Sequence, residues 1–81
     1  MQVRVRLGGP LSRLSAGPLL IVELADGATV ADLYAHLRDT QPDLAPALRS
    51  VLPIVAGEHV PSERHLAHRE EVALLLPVSG G

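Results

Sequence analysis

The chain has 81 residues, of which 47% are hydrophobic and 20% are charged, and its formal net charge is -2. This composition is typical of one globular domain with a small core, and no apolar stretch approaches the roughly 20 residues that a membrane-spanning helix needs. The absence of cysteine excludes disulfides, thiolate nucleophiles and sulfur-ligated metals, and the seven basic residues form no stripe suited to nucleic acid.

The first two predicted elements are strands. Val3, Val5 and Leu7 alternate with polar residues in QVRVRL, as in a strand with one buried face. GGP breaks this strand, and residues 19–24 (LLIVEL) are rich in the branched side chains of a second one. We therefore expect a hairpin with a long connection. Because no basic cluster precedes an apolar block at the N-terminus, we expect no signal peptide and a cytoplasmic location.

Residues 26–42 (DGATVADLYAHLRDTQP) are predicted to form a turn, a helix and a stop. Thr29 and Asp32 have the spacing of a capping box, which satisfies free backbone N–H groups at a helix start. The apolar residues recur at helical spacing and would form one stripe: Val30, Leu33, Tyr34 and Leu37. Pro42 ends the helix. Tyr34 is the only aromatic residue, and we expect it to pack in the core with its hydroxyl at the edge.

The second half of the chain predicts two further strands and a short return between them. Residues 51–60 (VLPIVAGEHV) indicate a strand, a turn at Ala56-Gly57 and the return, and Pro53 argues for an edge position or a bulge. The polar loop that follows has one inward anchor, Leu66. Residues 72–76 (VALLL) are continuously apolar, which predicts a central strand with both faces covered.

The order of these elements predicts an α+β fold. One main helix packed across a mixed sheet of four to five strands, with the first and last strands as central neighbours, is the β-grasp or ubiquitin-like arrangement. It is one of a few α+β options that the pattern allows. We expect a β-grasp domain over residues 1–76 and a flexible C-terminal Gly-Gly tail over residues 77–81.

Several polar residues outside the tail carry alternative interpretations. His59, His65, His68 and Glu70 suggest a zinc site by residue type, but no regular element fixes them, so we interpret them as surface residues and predict no metal site. Glu70-Glu71 is interpreted as an exposed turn. A charged docking patch on the outer sheet face is a further option, formed by three arginines: Arg4, Arg6 and Arg69.

Three segments resemble the MoaD/ThiS family of ubiquitin-like sulfur carriers: ELADGATVADL, VAGEHV and REEVALLLPVSGG. The match in order and spacing covers nearly the whole chain, and its specific element is the Gly80-Gly81 pair after a strand. Within the family, the chain length, QPDL after the helix and the closing PVSGG resemble the molybdopterin synthase small subunit more than thiamin-pathway carriers. Three features depart from that subunit: the lack of Phe, the single Pro77 before the tail, and Ala56 where Val-Asn-Gly is common.

The resemblance implies that Gly81 is a carrier site. A ubiquitin-activating-type adenylyltransferase would use ATP to adenylate the Gly81 carboxylate, and a sulfur donor would replace AMP to give a thiocarboxylate. Gly80 would be the second residue in that enzyme's channel, and Pro77, Val78 and Ser79 would be tail contacts. The sulfur would pass to a synthase large subunit or another sulfur-accepting enzyme. The domain itself would bind no cofactor and catalyse nothing.

Elementary chemistry agrees with a glycine tail. Glycine has no Cβ, so the backbone can pass through a narrow channel and the acyl carbon stays unhindered. Residues 77–81 extend over about 15 to 18 Å, which is enough to enter another protein's cleft. Ser79 has no base or orienting group beside it and is interpreted as a spacer.

Two other functions stay open at this point. A carrier of the same type would also suit thiamin, cysteine, tRNA-thiolation or secondary-metabolite pathways. A non-catalytic β-grasp interaction module would bind a partner through its sheet or helix face, and it would tolerate the loss of Gly81. Composition and charge predict neither a nucleic-acid nor a membrane partner.

Overall fold

The computed structural model of the chain describes residues 1–15 and 17–77. Its regular elements, in chain order, are β1 (Gln2–Leu7), β2 (Leu19–Glu23), α1 (Val30–Thr40), β3 (Leu52–Val55), β4 (Glu58–His59) and β5 (Glu71–Leu75). Short 3-10 turns occupy Gly9–Leu14, Pro42–Leu44 and Ala47–Arg49. Within the described ranges, no helix combines the length and the apolar character needed to cross a membrane.

The five strands form one mixed sheet in the order β2-β1-β5-β3-β4. β1 and β5 are parallel neighbours in the middle, and the other pairs are antiparallel. Helix α1 packs across one face of this sheet and buries Val30, Leu33 and Leu37. The predicted α+β arrangement, with one helix on a mixed sheet and the first and last strands adjacent, is therefore confirmed.

The hydrophobic core lies between α1 and the inner face of the sheet. Val3, Val5 and Leu7 of β1 are buried, while the residues between them are exposed, so the predicted alternation is confirmed. Val72 and Leu74 of β5 complete the centre of the core. Burial of such side chains is the main favourable term in the folding of a small domain.

Helix α1 begins and ends where local sequence signals place it. The Asp32 backbone N–H donates to Thr29 Oγ1 at 3.3 Å, and the Thr29 N–H donates to Asp32 Oδ2 at 2.9 Å, which confirms the capping box. At the other end, the Gln41 N–H donates to the Leu37 carbonyl before Pro42 turns the chain. Both boundaries are set by residues within a few positions of each other, so the sequence predicts them well.

The prediction that both faces of β5 are covered is wrong. Val72 and Leu74 are buried, but Leu75 is 43% exposed and the next residue, Leu76, is 38% exposed. The reason is architectural, because the single main helix covers one face of the sheet and leaves the other to solvent. A continuous apolar run in this position therefore supplies one buried face and one exposed apolar face.

Pro53 argues for an edge position or a bulge, and the first of these two alternatives is wrong. β3 lies between β5 and β4. The Pro53 carbonyl accepts the Val60 N–H at 3.0 Å. The Pro53 nitrogen lies on the same side of the strand but has no hydrogen, so it cannot donate a second hydrogen bond to the neighbouring strand. Pairing with β4 consequently stops at His59, and the proline shortens the neighbouring strand instead of placing its own strand outermost.

The turn between β3 and β4 contains a strained alanine. Ala56 has φ of 51° and Gly57 has φ of 80°, so both central residues adopt the left-handed conformation of a type I′ turn. Glycine accepts this conformation freely, whereas alanine does so at a cost. Ala56→Asn should therefore raise the free energy of unfolding by about 0.5 to 1 kcal/mol, because asparagine tolerates this region. Urea unfolding would measure the change.

A matched substitution isolates the backbone effect at the turn. Ala67 is exposed in a loop and does not have a positive φ. Ala67→Asn should leave the midpoint of urea unfolding nearly unchanged. Equal shifts in the two variants would show that the turn conformation is not the cause.

The Tyr34 hydroxyl is buried and finds no hydrogen-bond partner among the described residues. Its predicted position on the core stripe is confirmed, but the oxygen is not at the edge. Burial raises the pKa of Tyr34 to about 12 from 10.0. Since the unfolded chain ionises first as the pH rises, stability should be fully present below pH 10 and fall between pH 10 and about pH 12. As the only aromatic residue, Tyr34 alone gives the phenolate absorbance that measures this titration.

Tyr34→Phe tests the same contact by removing the unpaired oxygen. The variant should be more stable than the parent by about 1 kcal/mol, because a buried hydroxyl without a partner is destabilising. It should also retain its stability across the alkaline range in which the parent loses it. A loss of stability in the variant at neutral pH would mean that the hydroxyl does have a partner.

Candidate functional site

The last strand carries the chain to the start of the predicted tail. β5 is parallel to β1 on one side and antiparallel to β3 on the other. Beyond β1, the Gly8 N–H donates to the Leu74 carbonyl at 3.2 Å. Pairing on both sides fixes the direction of β5, so Leu76 and Pro77 leave from the middle of the sheet, at the end where β1 also finishes.

The structure describes one of the five predicted tail positions. Pro77 is exposed, as a contact residue for a partner must be. Val78, Ser79, Gly80 and Gly81 lie outside the described residues. The carrier site, its neighbouring channel residue and the domain division after residue 76 therefore stay predictions.

An apolar surface adjoins the root of the tail. Leu52 opposes Leu75, and Ile54 opposes Ala73, across the β3 and β5 pair, so all four side chains share the outer face of the sheet. We call these residues the exit patch: Leu52, Ile54, Ala73 and Leu75. Leu75 is the most exposed of them. Sequence reasoning missed the exit patch because it assigned two covered faces to β5; the presence of only one long helix was the signal against that assignment.

A glycine keeps Leu75 close to the end of β1. A Cβ added at Gly8 would lie 2.8 Å from Leu75 Cδ2, which is closer than real Cβ contacts. Gly8 has φ of -83°, so its role here is space and not backbone freedom. The absence of a side chain at Gly8 therefore allows Leu75 to lie against the strand beside it.

One ion pair crosses the outer face beside the exit patch. Arg6 Nη2 donates to Glu71 Oε1 at 3.1 Å. This hydrogen bond is the main reason that the pKa of Glu71 lies below its ordinary value, with the charges of Arg6 and Arg4 contributing further. Both partners are exposed, so the pair adds little stability and is screened by salt. Its main consequence is that the positive charge of Arg6 is already balanced by the carboxylate of Glu71.

The predicted arginine patch is consequently divided. Arg6 is paired with Glu71, whereas Arg4 and Arg69 line a separate cleft with Gln2 and Ile21 at the other end of β1. The three arginines therefore do not form one docking surface around the tail.

Glu70 has a structural role in the loop before β5. Arg64 donates from Nη1 to Glu70 Oε1 at 2.8 Å and from Nη2 to Oε2 at 3.0 Å, and the Ala67 N–H donates to the same carboxylate. The hydrogen bonds from Arg64 are the main cause of the lowered pKa of Glu70. This bidentate pair fixes the loop, and both carboxylate oxygens are engaged. Glu70 and Glu71 thus belong to different ion pairs and do not form an acid and base pair.

Two of the histidines that suggested a metal site bond to the backbone instead. His65 Nδ1 lies 2.7 Å from the Gly27 carbonyl, and His68 Nδ1 accepts the Gln2 N–H at 3.0 Å. His59 belongs to β4. In the part of the chain that the structure describes, no three His, Asp, Glu or Cys side chains are grouped to hold a metal ion. The two bonded histidines attach the loop before β5 to the turn before α1 and to β1.

Solved structures of other proteins share this architecture. SAMP1 from Haloferax volcanii superposes with a TM-score of 0.88 at 24% identity over 100% of both chains. A putative molybdopterin converting factor subunit 1 from Pyrococcus furiosus gives 0.85 at 21% identity, covering 95% of this chain and 98% of that one. A chain in the complex of subunits 1 and 2 of molybdopterin-converting factor from Helicobacter pylori gives 0.76 at 22% identity over 100% of both. The molecule is a ubiquitin-like β-grasp protein.

The chain belongs to the ThiS family. The model of that family matches residues 5–81, from β1 through the predicted tail. This confirms the predicted MoaD/ThiS relationship. No curated protein matches the sequence.

Proposed function

We propose that this protein is a sulfur carrier whose working group is the Gly81 carboxylate. The observation that carries the proposal is the ThiS family match, which extends through the Gly-Gly pair to residue 81. The direction of β5 supports it, because the strand leads out of the sheet centre beside an exposed apolar patch. Gly81 is the carrier site, and Gly80 is the residue that allows the chain to pass through a narrow channel.

The proposed cycle has two chemical steps at Gly81. A carboxylate oxygen attacks the α-phosphorus of ATP, pyrophosphate leaves, and an acyl adenylate forms. A sulfur nucleophile from a donor then attacks the acyl carbon and AMP leaves, so that sulfur replaces one carboxylate oxygen. ATP and the donor are bound by a ubiquitin-activating-type adenylyltransferase, and this chain supplies only the acyl group. The unhindered glycine carbonyl suits both attacks.

The exit patch is proposed to dock the partners. It is apolar, lies on a rigid sheet and adjoins Pro77, so a partner bound there would receive the tail directly. Pro77 has a fixed φ and reduces the freedom that the tail loses on entering a cleft. The Helicobacter pylori neighbour is described as a complex of subunits 1 and 2 of molybdopterin-converting factor, which supports a sulfur-accepting large subunit as one partner, in molybdopterin biosynthesis within the cytoplasm.

Alternative functions of the protein would either use the same tail or not require the tail. Thiamin, cysteine, tRNA-thiolation and secondary-metabolite pathways would use the same thiocarboxylate with another acceptor. The likeness to SAMP1, described in a second solved structure as a small archaeal modifier protein, favours attachment of Gly81 to a protein amine as a second candidate. A pure interaction module would bind through the sheet or helix face and would not require Gly81.

Intact mass spectrometry tests the proposal directly. The full chain is incubated with the adenylyltransferase of its own host, ATP and a sulfide donor, and compared with a sample without ATP. A gain equal to the mass difference between sulfur and oxygen, dependent on ATP, is expected. The same spectrum checks that the chain ends at Gly81. An unchanged mass, under conditions that convert an established carrier with that enzyme, would refute the carrier function.

A further inference from the structure

The outer edge of β2 has unused backbone hydrogen-bonding groups. β2 is the outermost strand on its side of the sheet. The Leu7 N–H donates to the Pro18 carbonyl and the Leu24 N–H donates to the Met1 carbonyl, which sets the alternation along the strand. The N–H and C=O groups of Leu19, Ile21 and Glu23 therefore point away from β1. Within residues 1–15 and 17–77, no strand pairs with this edge.

β2 also lacks most of the features that usually prevent pairing at a sheet edge, since its one charged residue, Glu23, stands at the end of the strand. It is five residues long, reads LLIVE, and contains no proline, glycine or lysine. Leu19 is 36% exposed and Ile21 is 55% exposed on the outer face. The opposite edge of the sheet differs, because β4 has only two residues. An open, apolar edge of this kind is a surface on which an extended chain can pair.

A cationic cleft lies beside this edge. It has a volume of about 470 Å³ and is lined by Gln2, Arg4, Ile21 and Arg69. Arg69 has φ of 67°, an uncommon conformation for arginine, and its N–H donates to the Gln2 carbonyl at 2.6 Å. Among the described residues, neither Arg4 nor Arg69 forms a salt bridge, and the nearby Glu71 carboxylate is hydrogen-bonded to Arg6. Two arginines and an exposed isoleucine therefore line the same cleft.

We propose that the β2 edge and this cleft bind an extended acidic segment of a partner protein. The segment adds to the sheet as a sixth strand, with backbone hydrogen bonds to Leu19, Ile21 and Glu23. An apolar side chain of the segment covers Ile21, and carboxylates bond to Arg4 and Arg69. The strained backbone at Arg69 is consistent with a binding role, since such strain concentrates at functional positions.

Charge favours this occupant over a second copy of the chain. Two β2 strands paired antiparallel about Ile21 would place Leu19 of one copy opposite Glu23 of the other. Because Glu23 is the partner of Gln2, which lines the cleft, a second copy would bring an apolar side chain and no carboxylate to the cleft end of β2. The β2 edge lies across β1 from β5, so an occupied edge leaves the exit patch and the tail accessible. The proposal does not depend on thiocarboxylate chemistry, and each can fail without the other.

Amide hydrogen exchange measured by NMR provides the test. The full chain is mixed with the capped peptide acetyl-Ser-Glu-Val-Ile-Val-Glu-Ser-amide, in which the isoleucine and both glutamates share one face of the extended strand. Binding should slow exchange of the amide protons of Leu19, Ile21 and Glu23, because those are the outward-facing donors of β2. The analogue with Gln in place of each Glu should bind at least about fivefold more weakly. Added salt should weaken binding of the acidic peptide.

Matched charge variants identify the cleft. Arg4→Gln and Arg69→Gln should each weaken peptide binding about fivefold, whereas Arg38→Gln, which removes the same charge from the exposed face of α1, should not. Their unperturbed spectra would show that each variant is folded. Unchanged exchange at the three β2 amides with peptide, or equal binding by all three variants, would overturn the proposal. Protection of those amides that grows with protein concentration without peptide would identify a second copy as the occupant and would also overturn it.

Discussion

Deletion of Gly81 should reduce the rate of adenylation by about 1,000-fold or more while leaving the domain folded. Removing one residue withdraws the carboxylate by about 3.5 Å, which exceeds the tolerance for in-line attack on ATP, where reacting atoms must approach within about 3 to 3.5 Å. The folded body should be unaffected, because Leu74 is the last buried core residue within the described residues 17–77. Release of pyrophosphate in the presence of the adenylyltransferase measures the first effect, and thermal unfolding measures the second.

Two further variants distinguish an effect of tail length on adenylation from a non-specific effect of mutation on the protein. Addition of one alanine after Gly81 should also abolish adenylation, because the carboxylate is then displaced forward and follows a residue with a Cβ. Asp39→Asn alters an exposed position on α1 and should be adenylated at the parental rate. Adenylation of the shortened chain at the parental rate would argue against Gly81 as the carrier and would favour an interaction module.

Leu74→Ala should lower the free energy of unfolding by about 3 to 4 kcal/mol. Leu74 is fully buried in the central strand, so truncation removes apolar contacts and leaves a cavity between the sheet and α1. A domain of this size has a total stability of roughly 4 to 12 kcal/mol, so the variant should be close to unfolding at physiological temperature. Urea unfolding followed by circular dichroism measures the loss.

Leu75→Ala is the matched control for this prediction, since it makes the same change one residue further along β5. Leu75 is 43% exposed on the outer face, so its truncation should change stability by less than about 1 kcal/mol. It removes part of the exit patch, however, and should weaken binding to the adenylyltransferase. Equal losses of stability in the two variants would contradict the one-sided burial of β5.

Local sequence signals predict much of this fold. The Thr29 and Asp32 capping box, the stop at Pro42 and the alternation in β1 depend on residues a few positions apart, and the structure confirms each of them. Their physical causes are contained in short segments, because caps and strand faces follow from backbone geometry and side-chain spacing. The family resemblance also rests on such segments.

Features that depend on the assembled sheet could not be predicted in the same way. The exposure of Leu75 follows from the number of helices available to cover the sheet, and the internal position of Pro53 follows from strand order. The bidentate contact of Arg64 with Glu70 and the bond of His68 to β1 require loop geometry that no pattern specifies. For the functional site, the sequence predicts the tail, whereas the exit patch and the β2 edge emerge only from the fold.

The parallel pairing of β1 with β5 governs when the molecule can fold during its synthesis. Arg6 and Glu71, which meet across this pair, are 65 positions apart, so the central contact of the sheet joins nearly opposite ends of the polypeptide. Contacts of such long sequence separation form slowly and late. A nascent chain that has not yet delivered β5 lacks the middle of its sheet and a large part of its core. The tail is thus displayed only by a chain whose translation has passed the strand that completes the domain.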